Sequence, residues 1–235
     1  MENPLIVSRE AWLSARQELL REEKALTRQR DEVSRRRRTL PWVRIDKPYV
    51  FDTTRGPETL ADLFAGRSQL IIYHFMFPER WEEGCKSCAF WLDNFNGITA
   101  HLAQRDVTLL AVSRSPLPKL QAFKQRMGRD LEWVSSLGSE FNFDFGVSFT
   151  PEEMATGEVT YNYQRRPFPV EEAPGISVFQ RSAEHEIFHT YSCYSRGLDM
   201  LNGAYHLLDL APKGRAEDGL PYSMAWLQLH DRYGD

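Results

Sequence analysis

The sequence predicts an α/β protein, a central mixed sheet flanked by helices, with a helical extension at its N-terminal end. Three observations carry this. Residues 69–77 form a nearly continuous apolar run of strand length, the pattern of a central strand covered on both faces. Residues 107–113 repeat that pattern with a helical stretch between the two, which implies a parallel βαβ unit. Residues 175–180 and 186–192 read as an antiparallel hairpin around Ser182-Ala183-Glu184-His185.

The elements follow in order. Residues 8–34 read as one helix opened by Ser8-Arg9-Glu10 and rich in Ala, Leu, Glu, Arg and Gln. Its apolar residues, Trp12, Leu19, Leu20, Ala25, Leu26 and Val33, make only a narrow stripe. Such a helix gains too little from burial to stand alone and is expected to dock on the domain or on a second copy, as a homodimer. Arg35-Arg36-Arg37-Arg38 complements the negative end of the helix dipole; no aromatic residues interleave as in a nucleic-acid contact. Residues 1–40 are thus an arm, 41–212 the domain with an insertion at about 131–172, and 213–235 a tail. Within the domain, residues 43–51 have strand character and residues 59–64 a helical turn closed by Gly66. Trp91, Phe95, Ile98 and Leu102 recur at helical spacing. Pro116 and Pro118 open a helix that carries Leu120, Phe123 and Met127. In the insertion Trp133-Val134 suggests a short strand, and Phe141, Phe143 and Phe145 alternate like a half-buried one. A last helix is expected over 198–209 with Leu201, Tyr205 and Leu208 inward.

Composition bounds the function. With 235 residues and 42% apolar content the chain can bury a sizeable core. A net charge of −4 and a pI near 5.9 argue against a dedicated nucleic-acid binder. Three cysteines do not make a secreted disulfide framework. The first residues lack the charged and apolar regions of a signal peptide, and no segment approaches the apolar length of a membrane span. A cytoplasmic, reducing setting is expected, where a CxxC is more often catalytic or metal-binding than structural.

Cys85-Lys86-Ser87-Cys88 follows the first buried strand and opens the next helix. Cysteines three positions apart can share one helical turn, where unpaired backbone N–H groups and the helix dipole stabilise a thiolate. The second cysteine is then in reach of any mixed disulfide formed by the first. Glu82 and Glu83 oppose thiolate formation and Lys86 favours it. Trp81, Phe90 and Trp91 frame a cleft, although Trp91 is more simply core. Of Tyr73 and His74, alternation turns only one toward the thiols. A structural zinc site needs four ligands, and no second CxxC or HxxxH is present. His189 and Cys193, four apart on a strand, would share a face and could serve metal or relay chemistry. The more ordinary roles are a satisfied histidine and an inert core cysteine. No glycine-rich phosphate loop is present and nothing marks a flavin or nicotinamide site, so no cofactor or metal is expected and electrons come from a separate thiol reductant.

Over residues 43–210 the chain resembles the thioredoxin superfamily. The resemblance rests on βαβα followed by ββα, on CxxC at the first core helix, and on Ala173-Pro174 before the strand at 175–180. It implies that Cys85 attacks, that Cys88 resolves, that Pro174 is a cis-proline facing them, and that Ala173 offers its backbone to substrate. The strings Trp-Glu-Glu-Gly-Cys-Lys-Ser-Cys-Ala-Phe-Trp-Leu-Asp-Asn-Phe-Asn-Gly, Pro-Gly-Ile-Ser-Val-Phe, His-Thr-Tyr-Ser and Arg-Gly-Leu-Asp are similar to those of a bacterial domain-of-unknown-function family, number 899. Its members are labelled predicted dithiol–disulfide oxidoreductases. The seven residues from Pro78 to Gly84 ahead of Cys85 resemble a peroxiredoxin layout, but the Pro-x-x-x-Thr-x-x-Cys signature is missing. The expected activity is thiol–disulfide exchange on a disulfide or dithiol substrate. Peroxide reduction through Cys85, and a metal-binding or non-catalytic binding module on the same fold, are the alternatives.

Overall fold

The computed structural model describes residues 5–234, which fall into two units, one ending at Pro41 and one beginning at Trp42. The first unit holds α1 (Arg9–Arg37), one uninterrupted helix. The Ser8 hydroxyl caps it by accepting the Ala11 N–H at 3.3 Å, and Arg35, Arg36 and Arg37 fill its last turn. None of its residues is buried.

The second unit is built on an eight-stranded mixed sheet. In chain order it contains β1 (Val43–Arg44), β2 (Val50–Thr53), β3 (Gly56–Thr59), β4 (Gln69–His74), α2 (Lys86–Leu92), α3 (Thr99–Ala103), β5 (Val107–Ser113), α4 (Leu117–Arg126), β6 (Glu132–Ser135), α5 (Phe141–Asp144), α6 (Pro151–Ala155), β7 (Val159–Tyr161), β8 (Gln164–Arg166), β9 (Gly175–Arg181), β10 (Ile187–Tyr194) and α7 (Gly203–Leu210). The sheet order is β1-β10-β9-β4-β5-β6-β2-β3, and β7 and β8 pair separately as a small ribbon. β4 runs parallel to β5 and antiparallel to β9, which is antiparallel to β10. The middle of the sheet, β10-β9-β4-β5 with α2, α4 and α7, is the thioredoxin-like arrangement of βαβα followed by ββα.

Alternation along the strands divides the core in two. Leu70 and Ile72 of β4, with Leu110 and Val112 of β5, face a layer that includes Phe51, Phe64, Phe141, Phe145 and Phe179. Tyr73 and Phe75, with Leu109 and Ala111, face the layer under α2, which includes Trp91, Phe95, Phe123, Trp133 and Cys193. Val147, Phe149, Val159, Tyr161, Ala173 and Tyr194 form a third cluster between the insertion and the sheet.

Several expected elements change form. The strand expected over 43–51 is two strands on opposite halves of the sheet, because Pro48 breaks the run and β1 pairs with β10 while β2 pairs with β3 and β6. Phe141, Phe143 and Phe145 lie on a helical turn rather than a strand. Phe141 and Phe145 are four apart and pack at 4.6 Å between centroids, while the Arg114 guanidinium covers Phe143. The helix after the CxxC stops at Leu92 and restarts at Thr99, interrupted by Gly97 with φ 78°. The last helix is broken at Asn202, whose side chain caps α7 by accepting the Tyr205 N–H at 3.0 Å. The C-terminal residues pack back on the domain, with Leu227 and Leu229 buried.

Arg129 fixes α2 to α4. Its side chain is fully covered, and its Nη2 donates to Asp93 Oδ1 at 2.7 Å and to the Ala89 carbonyl at 3.2 Å. Asp93→Ala would leave that guanidinium buried without its counter-charge and should cost about 3 kcal/mol in urea unfolding. An unchanged midpoint would show that Arg129 does not tie the helices.

Candidate active site

The site forms where β4 leaves the ladder it makes with β5. Phe75 still donates its N–H to Val112 O at 2.9 Å. One residue on, the Met76 carbonyl accepts the Cys85 N–H at 3.0 Å, and this rung seats Cys85 at the N-cap of α2. Gly84 is required just before it. A Cβ there would stand 2.6 Å from Phe75 Cε1 and 2.8 Å from Phe123 Cε1, so no larger residue fits without moving two rings.

The two thiols are unbridged and unequal. Cys88 is buried beneath α2, and Cys85 is partly exposed. Hydrogen bonding from the Cys88 thiol, helped by the backbone N–H groups of Cys88 and Ser87 and by the Ser87 hydroxyl, outweighs burial and brings Cys85 down to about 7. Burial and the adjacent Cys85 sulfur push Cys88 well up, with the Met76 backbone and the Tyr73 hydroxyl pulling the other way. Tyr73 is therefore the member of the Tyr73–His74 pair that meets the thiols. His74 points through the opposite face, where its Nε2 meets Ser177 Oγ at 2.9 Å and its ring stacks on Phe141 and Phe145. Burial there lowers it to about 3.

Cys85 stands between two cavities. One, of about 220 Å³, also touches Cys88, Tyr73, Met76, Trp91, Tyr161, Phe168, Pro174, Leu198 and Met224, and its lining is mostly apolar. The other is a wider open trough walled by Trp81, Lys86 and the C-terminal residues Tyr222, Leu227, Gln228 and Leu229. The predicted site residues thus separate. Cys85, Cys88 and Pro174 share the apolar cavity, Trp81 lines the trough, and Ala173 lines neither. Glu83 does not press on the thiol as a lone charge, because Arg126 and Arg232 hold its carboxylate. Lys86 reaches the Ala225 carbonyl at 3.4 Å.

The cis bond expected at Ala173-Pro174 is not found. No cis peptide bond occurs among the described residues, so Pro174 is trans. The Ala173 N–H donates to Val147 O at 3.0 Å, so that half of its backbone is bonded to the insertion. The Pro174 carbonyl accepts the Tyr161 hydroxyl at 2.8 Å, and the Tyr161 hydroxyl oxygen in turn accepts the Ser195 N–H at 2.9 Å.

His189 and Cys193 also come apart. A bulge between His189 and Tyr191 shifts the register of β10 against β9 by one residue. His189 therefore lies against Phe145 and Phe179, its Nε2 2.8 Å from Ser192 Oγ, while Cys193 belongs to the layer under α2. Among the described residues no group of three or more His, Cys, Asp or Glu is placed to hold a metal ion, and no helix is long and apolar enough to cross a membrane.

The sequence model of the DUF899 family, described as a bacterial protein of unknown function, matches residues 1–233. The chain belongs to this family. Among curated proteins none matches this DUF899 sequence. Similar solved structures include a cysteine-to-serine mutant of peroxiredoxin Q from Xanthomonas campestris, at 16% identity and TM-score 0.45, covering 72% of this chain and 97% of that one. A peroxidoxin from Mycobacterium tuberculosis shows 12% identity and TM-score 0.45, covering 70% and 94%. A peroxiredoxin Q mutant from Xylella fastidiosa shows 13% and 0.42, covering 72% and 95%. At these scores the likeness carries no argument about chemistry, and the fold of the DUF899 protein stands on its own strand order.

Tyr161, Phe168, Leu198 and Met224 had no sequence signal that tied them to the thiols. The apolar string Met224-Ala225-Trp226-Leu227 was the one available hint that the C-terminal residues pack inward.

Two outcomes follow from the geometry. Alkylation of native Cys85 should rise with its thiolate fraction and reach half its maximum near pH 7, while Cys88 stays unlabelled until the protein unfolds; equal labelling of both would contradict the inequality. Gly84→Ala should cost roughly 1–3 kcal/mol by overpacking against Phe75 and Phe123, and should displace that midpoint because Cys85 moves with it.

Proposed function

We propose that the protein is a thiol–disulfide oxidoreductase in which Cys85 attacks and Cys88 resolves. The observation that carries this reading is the inequality of the pair, a partly exposed sulfur held at about 7 directly above a buried thiol that keeps its proton. The Cys85 thiolate is available near neutral pH as nucleophile, and Cys88 is within hydrogen-bonding reach to displace it from a mixed disulfide. The pair holds no electrons in reserve after one turnover, so a separate thiol reductant completes the cycle.

The cavity favours a small substrate with an apolar body. About 220 Å³ is below the usual 300–1,000 Å³ of drug-sized ligand pockets, and the Ala173 N–H, one of the groups expected to face a polypeptide, is already bonded within the protein. A low-mass aryl or alkyl disulfide should therefore be reduced faster than a folded protein disulfide such as that of insulin. The small cavity equally admits an organic hydroperoxide. In that second reading the Cys85 thiolate takes the terminal oxygen, releases an alkoxide and becomes a sulfenic acid, which Cys88 converts to the disulfide with loss of water.

Single-turnover assays on both substrate classes separate these readings. Cys85→Ser should abolish turnover, and Cys88→Ser should trap a mixed disulfide with the aryl disulfide. Full activity in both variants would end the oxidoreductase reading. Reduction of hydroperoxide but not of disulfide would replace it with the second.

A further inference from the structure

Among the described residues, the C-terminal segment supplies one side chain to the apolar cavity beside the thiols, that of Met224. The rest of its lining comes from β4 and its exit, from α2, from the insertion, and from the residues just before β9 and just after β10. Met224 is half-buried, unbranched and built on a left-handed backbone, with φ 69°. A bulky residue rarely adopts that conformation and keeps it only where the surroundings fix it. Here Glu217 fixes it. Its Oε1 accepts the Met224 N–H at 3.0 Å, the Tyr205 hydroxyl at 2.7 Å and the Trp226 indole N–H at 2.7 Å. The Leu227 N–H closes the turn on the Met224 carbonyl at 3.1 Å.

This clamp is fastened to the helix that carries the thiols. Tyr205 and Trp226 both meet Phe90 of α2 edge-on, at 5.1 and 5.7 Å between centroids, and Phe90 lies two residues beyond Cys88. A second left-handed residue, Ser195 with φ 51°, lines the same cavity, and the Tyr161 hydroxyl holds its N–H. Tyr161 is fixed in turn by the Pro174 carbonyl. Leu198 is buried, and its carbonyl accepts the Trp91 indole N–H at 2.8 Å. Arg196 and Asp199 pair with each other at 2.9 Å, so neither offers a lone charge to a ligand. Met76, the other methionine of the lining, is buried in the core layer. The adaptable part of the wall is the Met224 thioether, whose three rotatable bonds let it follow what packs against it.

We infer that Met224 sets the size of the substrate that reaches Cys85 through this cavity, with Glu217 as the residue that positions it. The inference rests on the exchange reading above and narrows its substrate class to neutral disulfides whose sulfur substituent is short and unbranched. The cavity holds about 220 Å³ with Met224 in place. Truncating that side chain at Cβ adds the space of Cγ, Sδ and Cε and removes no group that binds a sulfur. An apolar pocket discriminates by fit, and one methylene too many or too few changes a rate by roughly 10–200-fold. A wall that gives way by a methionine side chain therefore decides between a methyl and a benzyl substituent. Glu217 does not line the cavity and acts only through the turn that carries Met224.

The test reads selectivity for bulk in two ways on the full chain. One is single-turnover reduction of dibenzyl against dimethyl disulfide. The other is alkylation of native Cys85 by N-benzyliodoacetamide against iodoacetamide, mapped by mass. Met224→Ala should raise the bulky-to-small rate ratio about tenfold in both. Met224→Leu, which nearly conserves volume, should keep the wild-type ratio, and Glu217→Ala should shift it in the direction of Met224→Ala. The double variant should go no further than Met224→Ala alone, because both changes act through one side chain. Unchanged ratios in Met224→Ala overturn the inference and place the route to Cys85 in the trough on its other side. If the alkylation ratio shifts but wild type reduces neither disulfide, Met224 limits access to the thiol and the exchange reading fails alone. If both disulfides are reduced with no change of ratio in any variant, the exchange reading stands and the size limit falls. Should Met224→Ala not fold, Met224→Gly, which suits a left-handed backbone, carries the same expectation.

Discussion

β4 ends without a partner for its last backbone groups, and the site is assembled on what it leaves open. In a parallel ladder the Phe77 N–H would continue the rungs to β5; instead it binds Glu172, and the Met76 carbonyl before it binds the Cys85 N–H. A buried backbone group must find a partner or cost about as much as a lost hydrogen bond. Meeting that demand at Met76 and Phe77 draws together α2 and the segment before β9, Glu172 lying 95 residues beyond the Phe77 that it binds. The position of the thiol depends on this more than on the short helix it caps.

The aromatic packing around the rung makes it stiff. Phe75 meets Trp133 at 4.6 Å between centroids and Phe123 at 6.3 Å, and Gly84 lies against both phenyl rings. Arg129 closes the same layer by bonding to Asp93 and Ala89 below α2. Close-packed interiors transmit small displacements, so the geometry of Cys85 is set by side chains that line neither cavity beside it.

Much of this was legible in the sequence where the signal is local and repeated. β4 and β5 announce themselves by unbroken apolar runs, the β9–β10 hairpin by its two strands and polar turn, and the thiol pair by its spacing. The lost features depend on distant partners or on single-residue shifts. The period-two phenylalanines of α5 fit a strand and a helical turn equally well over five residues, and the buried layer chose the turn because Phe141 and Phe145 could then fill it together. Pro174 invited a cis bond by its place ahead of β9, but the insertion bonds to Ala173 and Pro174 from the side and holds an extended path. No pattern in Glu171-Glu172 distinguishes the surface carboxyl paired with Arg80 from its buried neighbour.

The bulge in β10 has an effect on the molecule's acid–base behaviour. By turning His189 one way and Cys193 the other, it collects His74, Ser177, Ser192 and His189 into one hydrogen-bonded string on the face away from the thiols. Both imidazoles are held below their ordinary range by burial. The sheet thereby works as a partition, with the imidazoles and hydroxyls on one side and the two motif thiols on the other. Acidification that reaches the histidines and loosens the packing behind the sheet has already returned the proton to Cys85 on the other side, so the two faces titrate in sequence rather than together.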